Sequence, residues 1–142
     1  MPSQLQSPEV QAFATGFPVT LLHASVTLVM LILGTTLYAL LTPHKEIALI
    51  REGNSAAALS LGGVMVGLSI PLAISLTAST SVIEIGIWGA ATIAVQLLVF
   101  RVTDMVLKGL PERIQDGEIS AAVLLVGAKL ATALILAAAV AG

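Results

Sequence analysis

The sequence predicts an all-α membrane protein of four transmembrane helices, built as two tandem two-helix repeats in the same orientation, with short interfacial helices in the cytoplasmic links. Three observations carry that expectation. Hydrophobic residues make up 57% of the 142 and charged residues only 10%, whereas a soluble domain carries roughly a quarter charged residues. The apolar residues fall in long blocks, and the mean hydropathy is +1.03, which points to lipid as the solvent. Finally, the chain aligns with itself when shifted by 64 residues.

A spanning helix needs about 20 mainly apolar residues to cross a hydrocarbon core of about 30 Å. Four stretches qualify: Pro18 to Leu41, Ser55 to Leu76, Val82 to about Met105, and Ile119 to Ala141. The second and third are joined by Thr77-Ala78-Ser79-Thr80-Ser81, short and uncharged as a tight turn requires. Longer polar links, residues 42–54 and 106–118, follow the first and third helices. Lys45, Arg51, Lys108 and Arg113 lie in those links and Arg101 lies nearby, while the N-terminal segment and the turn hold no Lys or Arg. The positive-inside rule therefore puts both links in the cytoplasm and both termini on the outer side.

The N-terminus is no ordinary signal peptide, lacking a basic start and carrying too long an apolar block. Ser7-Pro8-Glu9 reads as an N-cap, a first-position proline and an acid in the first turn. Val10, Phe13, Ala14 and Phe17 follow at helical spacing, so residues 1–17 are either a short helix in the outer interface or a frayed tail. Residues 18–78 form the first membrane repeat and 79–142 the second.

In the repeat, Ile50-Arg51-Glu52-Gly53-Asn54-Ser55-Ala56-Ala57-Ala58 falls on Ile114-Gln115-Asp116-Gly117-Glu118-Ile119-Ser120-Ala121-Ala122. Each unit is a helix, a polar link ending in acid–Gly, and a helix rich in small residues. Two spans per unit return the chain to its starting side, so the units share an orientation, unlike inverted transporter repeats. Pro43 and Pro111 end the preceding helix or open a short one. Gly53 and Gly117 suit a left-handed position after a helix. Asn54 or Ser55, and Glu118 or Ser120, are placed to cap the helix that follows.

Leu41-Thr42-Pro43 leading to Glu46, the Ile50–Ala58 run, Gly62-Gly63, Gly67, Trp88-Gly89 and the degenerate second copy together resemble the YjfL-like family, small bacterial inner-membrane proteins with domain of unknown function 350. The resemblance covers nearly everything from the first helix onward. It implies four spans, two repeats and a bacterial inner membrane. It implies no activity and so no catalytic residues. Glu118 stands where the first copy has Asn54, so a site formed by the Gly–Asn pair would differ between the halves.

Lys129 is the strongest single candidate. It lies 11 residues after Glu118, about 16 Å along a helix, where a lysine costs about 2.5–3.5 kcal/mol on insertion scales. It suits an anion, a proton or a counter-charged partner; the plainer alternatives are snorkelling, or satisfaction by Gln96 and backbone carbonyls. Gly63 and Gly67 form a small-residue motif, matched by Gly127 and Ala131 in the repeat, which suits packing inside the bundle more often than oligomerisation. Gly89, Thr92, Gln96 and Thr103 line one face of the third helix, as His23, Thr27 and Gly34 do on the first. These stripes suit helix packing or, more sharply, a pore lining. Glu84, Arg101 and Asp104 read as interfacial anchors. The paired acid–Gly links, with His44, Lys45, Glu46, Glu112, Arg113 and Asp116, read as solvated interface or as a docking surface for a cytosolic partner.

Several classes are excluded. With no cysteine there is no thiol nucleophile or disulfide framework, and no metal-ligand cluster or cofactor motif stands out. A net charge of −2 without a basic run argues against nucleic acid. Phosphate-loop, zincin and serine-hydrolase signatures are absent, so no enzyme is expected. What remains is a structural or assembly component partnered by lipid, itself or other membrane subunits. The alternative is a small channel or transporter using Lys129 and the polar helix faces.

Overall fold

A computed structural model describes residues 7–43 and 45–142, and its regular elements are all helical. They are α1 (Pro8–Leu41), α2 (Glu46–Arg51), α3 (Ser55–Ala78), α4 (Val82–Val106), α5 (Leu110–Gln115) and α6 (Ile119–Ala141). α1, α3, α4 and α6 are each long and apolar enough to cross a membrane. The short helices α2 and α5 sit together at one end, called here the link end. The tight turn before α4 marks the opposite, turn end.

Local chemistry sets the boundaries. Ser7 caps α1, its hydroxyl accepting the Val10 N–H at 3.3 Å, and Ser81 caps α4 through the Glu84 N–H at 3.2 Å. Glu52-Gly53-Asn54 closes α2 with Gly53 at φ 89°, its N–H bonded to the Ile50 carbonyl and the Asn54 N–H to that of Leu49. Gly117 repeats this at φ 83°, with its N–H on Ile114 and the Glu118 N–H on Arg113. Both are six-to-one, five-to-two closures that glycine adopts without Cβ strain.

At the N-terminus the structure differs from the expectation of a separate interfacial segment. From Pro8 onward residues 8–17 continue into the first spanning helix, making α1 34 residues long. Pro18 removes only one backbone bond, to Ala14, and its fixed φ is helical, so with an apolar run on both sides the helix continues. Residues 1–6 and His44 lie outside the described residues.

α3 is the centre of the bundle. It packs most extensively on α6, and also on α1 and α4. The interior contact is set by absent side chains. A Cβ on Gly63 would lie 2.5 Å from Val126, one on Gly67 2.6 Å from Phe100, and one on Gly89 2.6 Å from Met30. Where lipid supplies no hydrophobic drive between helices, such close approach is a main source of association. Tyr38, Val64, Leu68, Leu72, Ile93, Leu97 and Phe100 form one core cluster, and Ala56, Ala57, Leu110, Ile114 and the start of α6 form another under the links.

The small pair on α6 is placed otherwise than expected. Gly127 and Ala131 are exposed, and nothing lies within 4 Å of a Cβ built on Gly127. α6 instead buries the face carrying Ala121, Ala122, Leu125, Lys129, Ala133 and Ala137. The 64-residue offset supplies the reason. Val126 fills the space over Gly63, but its counterpart in α3 is Gly62, which has no side chain to place over Gly127.

Candidate functional site

Lys129 is fully buried, and its charge is met inside the bundle. Its Nζ lies 2.8 Å from Asp104 Oδ1 and donates to the Tyr38 hydroxyl oxygen at 2.6 Å. The ammonium also stands 4.7 Å from the centre of the Tyr38 ring and 5.5 Å from that of Phe100, and the two rings meet edge to face. Gly67 gives Phe100 its place, so the aromatic cover of the lysine depends on a missing side chain one helix away.

Helix direction makes this meeting possible. Every Cα–Cβ bond leans toward its helix N-terminus. α6 starts at the link end, so Lys129 leans back toward that end from about 15 Å along the helix. α1 and α4 finish at the link end, so Tyr38 and Asp104 lean inward from it. One long cation and two short partners from opposite directions therefore converge. Asp104 accordingly corrects the expectation of an interfacial anchor: its side chain is only 8% exposed.

Glu46 is the second correction. A solvated place in the link was expected, yet the residue is 6% exposed, and its Oε2 is buried without a hydrogen-bond partner. Burial lifts its carboxyl to about pKa 7; Lys129 and a hydrogen bond from Ser60 pull the other way. Glu46, Tyr38, Thr42, Ser60, Arg101 and Asp104 line a small cleft of about 30 Å³ at the link end. Arg101 is exposed there, and Asp104 and Tyr38 separate the cleft from the buried Lys129. No group of three or more acidic, His or Cys side chains suited to a metal ion occurs among the described residues.

The family model described as Domain of Unknown Function (DUF350) matches residues 12–140. The chain belongs to the DUF350 family. Two curated relatives are the UPF0719 inner membrane proteins YjfL of Escherichia coli K12 and of Escherichia coli O157:H7, each 34% identical over 85 residues. The match covers 60% of this chain and 64% of each relative. No solved structure matches it. With its four apolar helices, this DUF350 chain is a multi-pass inner-membrane protein of the YjfL-like kind.

The remaining sequence candidates of the DUF350 chain do not converge on Lys129. Gln96 is fully buried, but neither amide atom has a hydrogen-bond partner and it does not serve the lysine. His23 is half-buried on α1, its carbonyl accepting from Thr27. Glu84 is exposed at the turn end, holding the Thr80 N–H at 2.6 Å. Asn54 clasps the two links: its Oδ1 caps α3 through the Ala57 N–H at 3.0 Å, while Nδ2 donates to the Ile114 and Gln115 carbonyls at 3.1 and 3.0 Å. Glu118, its counterpart, has no donor to do the same. It forms an ion pair with Arg113 instead, which holds its carboxyl below the usual range. Gly53 and Gly117 have open space around them.

Sequence reasoning missed Tyr38, Glu46 and Ser60 as members of the site. A signal for Asp104 was available: it is the one acid near the link end of a spanning helix, and a buried lysine needs a counter-charge.

Proposed function

We propose that the chain is a non-enzymatic structural or assembly subunit, acting as a homo-oligomer or within a larger membrane complex. It is read as two tandem two-helix units, with both links and their interfacial helices α2 and α5 in the cytoplasm and both termini on the periplasmic side. The recurrence of α2 and α3 as α5 and α6 at a 64-residue offset supports the repeat. The basic residues of the links support the orientation.

The observation that carries assembly is the exposure of small residues, Gly127 and Ala131 on α6 and Gly62 on α3, with open space beside both glycines. The matching motif at Gly63 and Gly67 is used inside the bundle, whereas this one faces outward with nothing over it. Small residues on an outer face let a second helix approach closely. The test is the mass of the full chain in native-lipid nanodiscs, with Gly127→Leu filling that space. The variant is expected to lose higher-order species while keeping its thermal stability. A wild-type chain that is monomeric and co-purifies with nothing would overturn the reading.

A second reading, a small channel or transporter, is favoured by the link-end cleft and by the buried, unbonded amide of Gln96. Flux in liposomes that disappears in Lys129→Leu, with the fold intact, would favour it. A cytosolic partner at the acid–Gly links is a further part of the assembly reading. Partner recovery unchanged by Glu52→Ala with Asp116→Ala would sink that part.

A further inference from the structure

We propose that the link-end cleft is a binding site for one small monovalent cation, a proton or an alkali ion, taken up on Glu46 Oε2. The inference is independent of the assembly reading. It begins with the charges facing Glu46 from each packed element. α6 contributes Lys129, α4 contributes Asp104 and Arg101, α1 contributes the Tyr38 hydroxyl and α3 the Ser60 hydroxyl. α5 lines the cleft with uncharged residues only.

Lys129 and Asp104 are in direct contact at 2.8 Å and compensate each other. Tyr38 is engaged with the same pair. Glu46 is thus the buried carboxylate without an ion pair, its Oε2 unbonded and its side chain among those that line the cleft. Arg101 stands exposed at the mouth, and no ion pair joins it to Glu46 among the described residues. An ionised carboxylate cannot stay buried at low cost without a counter-charge or hydrogen bonds. A proton from bulk water supplies that charge by forming the O–H bond on Oε2. An alkali ion supplies it by coordination, without breaking a bond.

The cleft also selects against larger charges. A divalent ion takes about six to eight oxygen ligands, carboxylates among them, and here one of the two carboxylates is already held by an ammonium in a cleft of about 30 Å³. Lys129 repels any cation that approaches closely, which favours the smallest charge. The elevated carboxyl of Glu46 agrees with this, since it places uptake in the neutral range.

The test uses the full chain in nanodiscs, titrated by infrared difference spectroscopy and by proton counting, in sodium, potassium and bulky organic-cation buffers. For proton uptake, one protonated-carboxyl band is expected to grow as pH falls through about 7, independent of the buffer cation. For alkali binding, the same band moves to lower pH as sodium or potassium rises, and stays put in the organic-cation buffer. Glu46→Gln abolishes the band in either case. Ser60→Ala moves it to higher pH, because the hydroxyl holds the carboxylate form; this variant keeps the carboxyl and reads the site if Glu46→Gln fails to fold. If wild type shows neither uptake nor any alkali effect across the neutral range, Arg101 or another fixed charge compensates Glu46 and the proposal is wrong.

Discussion

Replacing Lys129 by Met and Asp104 by Leu, singly and together, measures the energy stored in the buried pair. At 2.8 Å, with an effective dielectric constant of about 20, the direct attraction is about 6 kcal/mol. Desolvating both ions offsets much of that, so the pair itself adds little over an apolar replacement. Removing one partner is different, because it strands the other charge in the bundle. Each single variant is therefore expected to lose about 3–5 kcal/mol, and the double variant to lie much nearer wild type. Equilibrium unfolding in mixed detergent micelles reads all four corners of the cycle. The coupling should exceed about 2 kcal/mol, whereas separate sites would add within about 0.5 kcal/mol. Additive losses would refute the internal pairing and return Lys129 to snorkelling or to an external partner.

Three further outcomes follow from the same geometry. Gly63→Ala should cost about 1–3 kcal/mol, because its Cβ meets the stiff branched side chain of Val126 at 2.5 Å; Gly127→Ala, with open space, should stay within about 0.5 kcal/mol by the same unfolding assay. Asn54→Ala removes a cap and two inter-link bonds and should lower stability by about 2 kcal/mol or more. Asn54→Asp keeps the capping acceptor but loses the donors, so hydrogen exchange should rise around Ile114 and Gln115 while the start of α3 stays protected. Glu46 sets a pH dependence: its carboxyl rises from 4.5 to about 7 on folding, so the folded chain holds the proton more tightly. Stability should then fall as pH rises through that interval, by about 3 kcal/mol in full, and Glu46→Gln should remove the slope.

The spans were legible because lipid imposes one simple demand, about 20 apolar residues closed by caps and glycine turns, and residues 55–141 meet it almost to the residue. The link closures at Gly53 and Gly117 were legible for a similar reason, being decided within six residues of chain. The partners of Lys129 were not. Asp104 near a helix end looks like an anchor when only its depth is counted; its inward lean appears when the opposite directions of the third and fourth spans are combined with the tilt of each Cα–Cβ bond. Glu46 in a charged link looks solvated until α2 is folded against α3. Gly127 and Ala131 failed as internal packing residues because the repeat predicts equivalent motifs, whereas packing depends on what faces each one. The glycine that meets a valine makes a joint, and the one that meets nothing leaves a gap.

The length of α1 has a consequence of its own. At 1.5 Å per residue, α3, α4 and α6 measure about 35–38 Å, close to one bilayer, whereas the 34 residues of α1 measure about 51 Å. Three helices are thus cut to a common height and one overshoots. A change in lipid chain length mismatches the three equal helices together, whereas α1 has about ten further residues, the stretch that carries the stacked Phe13 and Phe17, with which to meet a thicker bilayer. α1 is thus the one long helix among the described residues with length to spare.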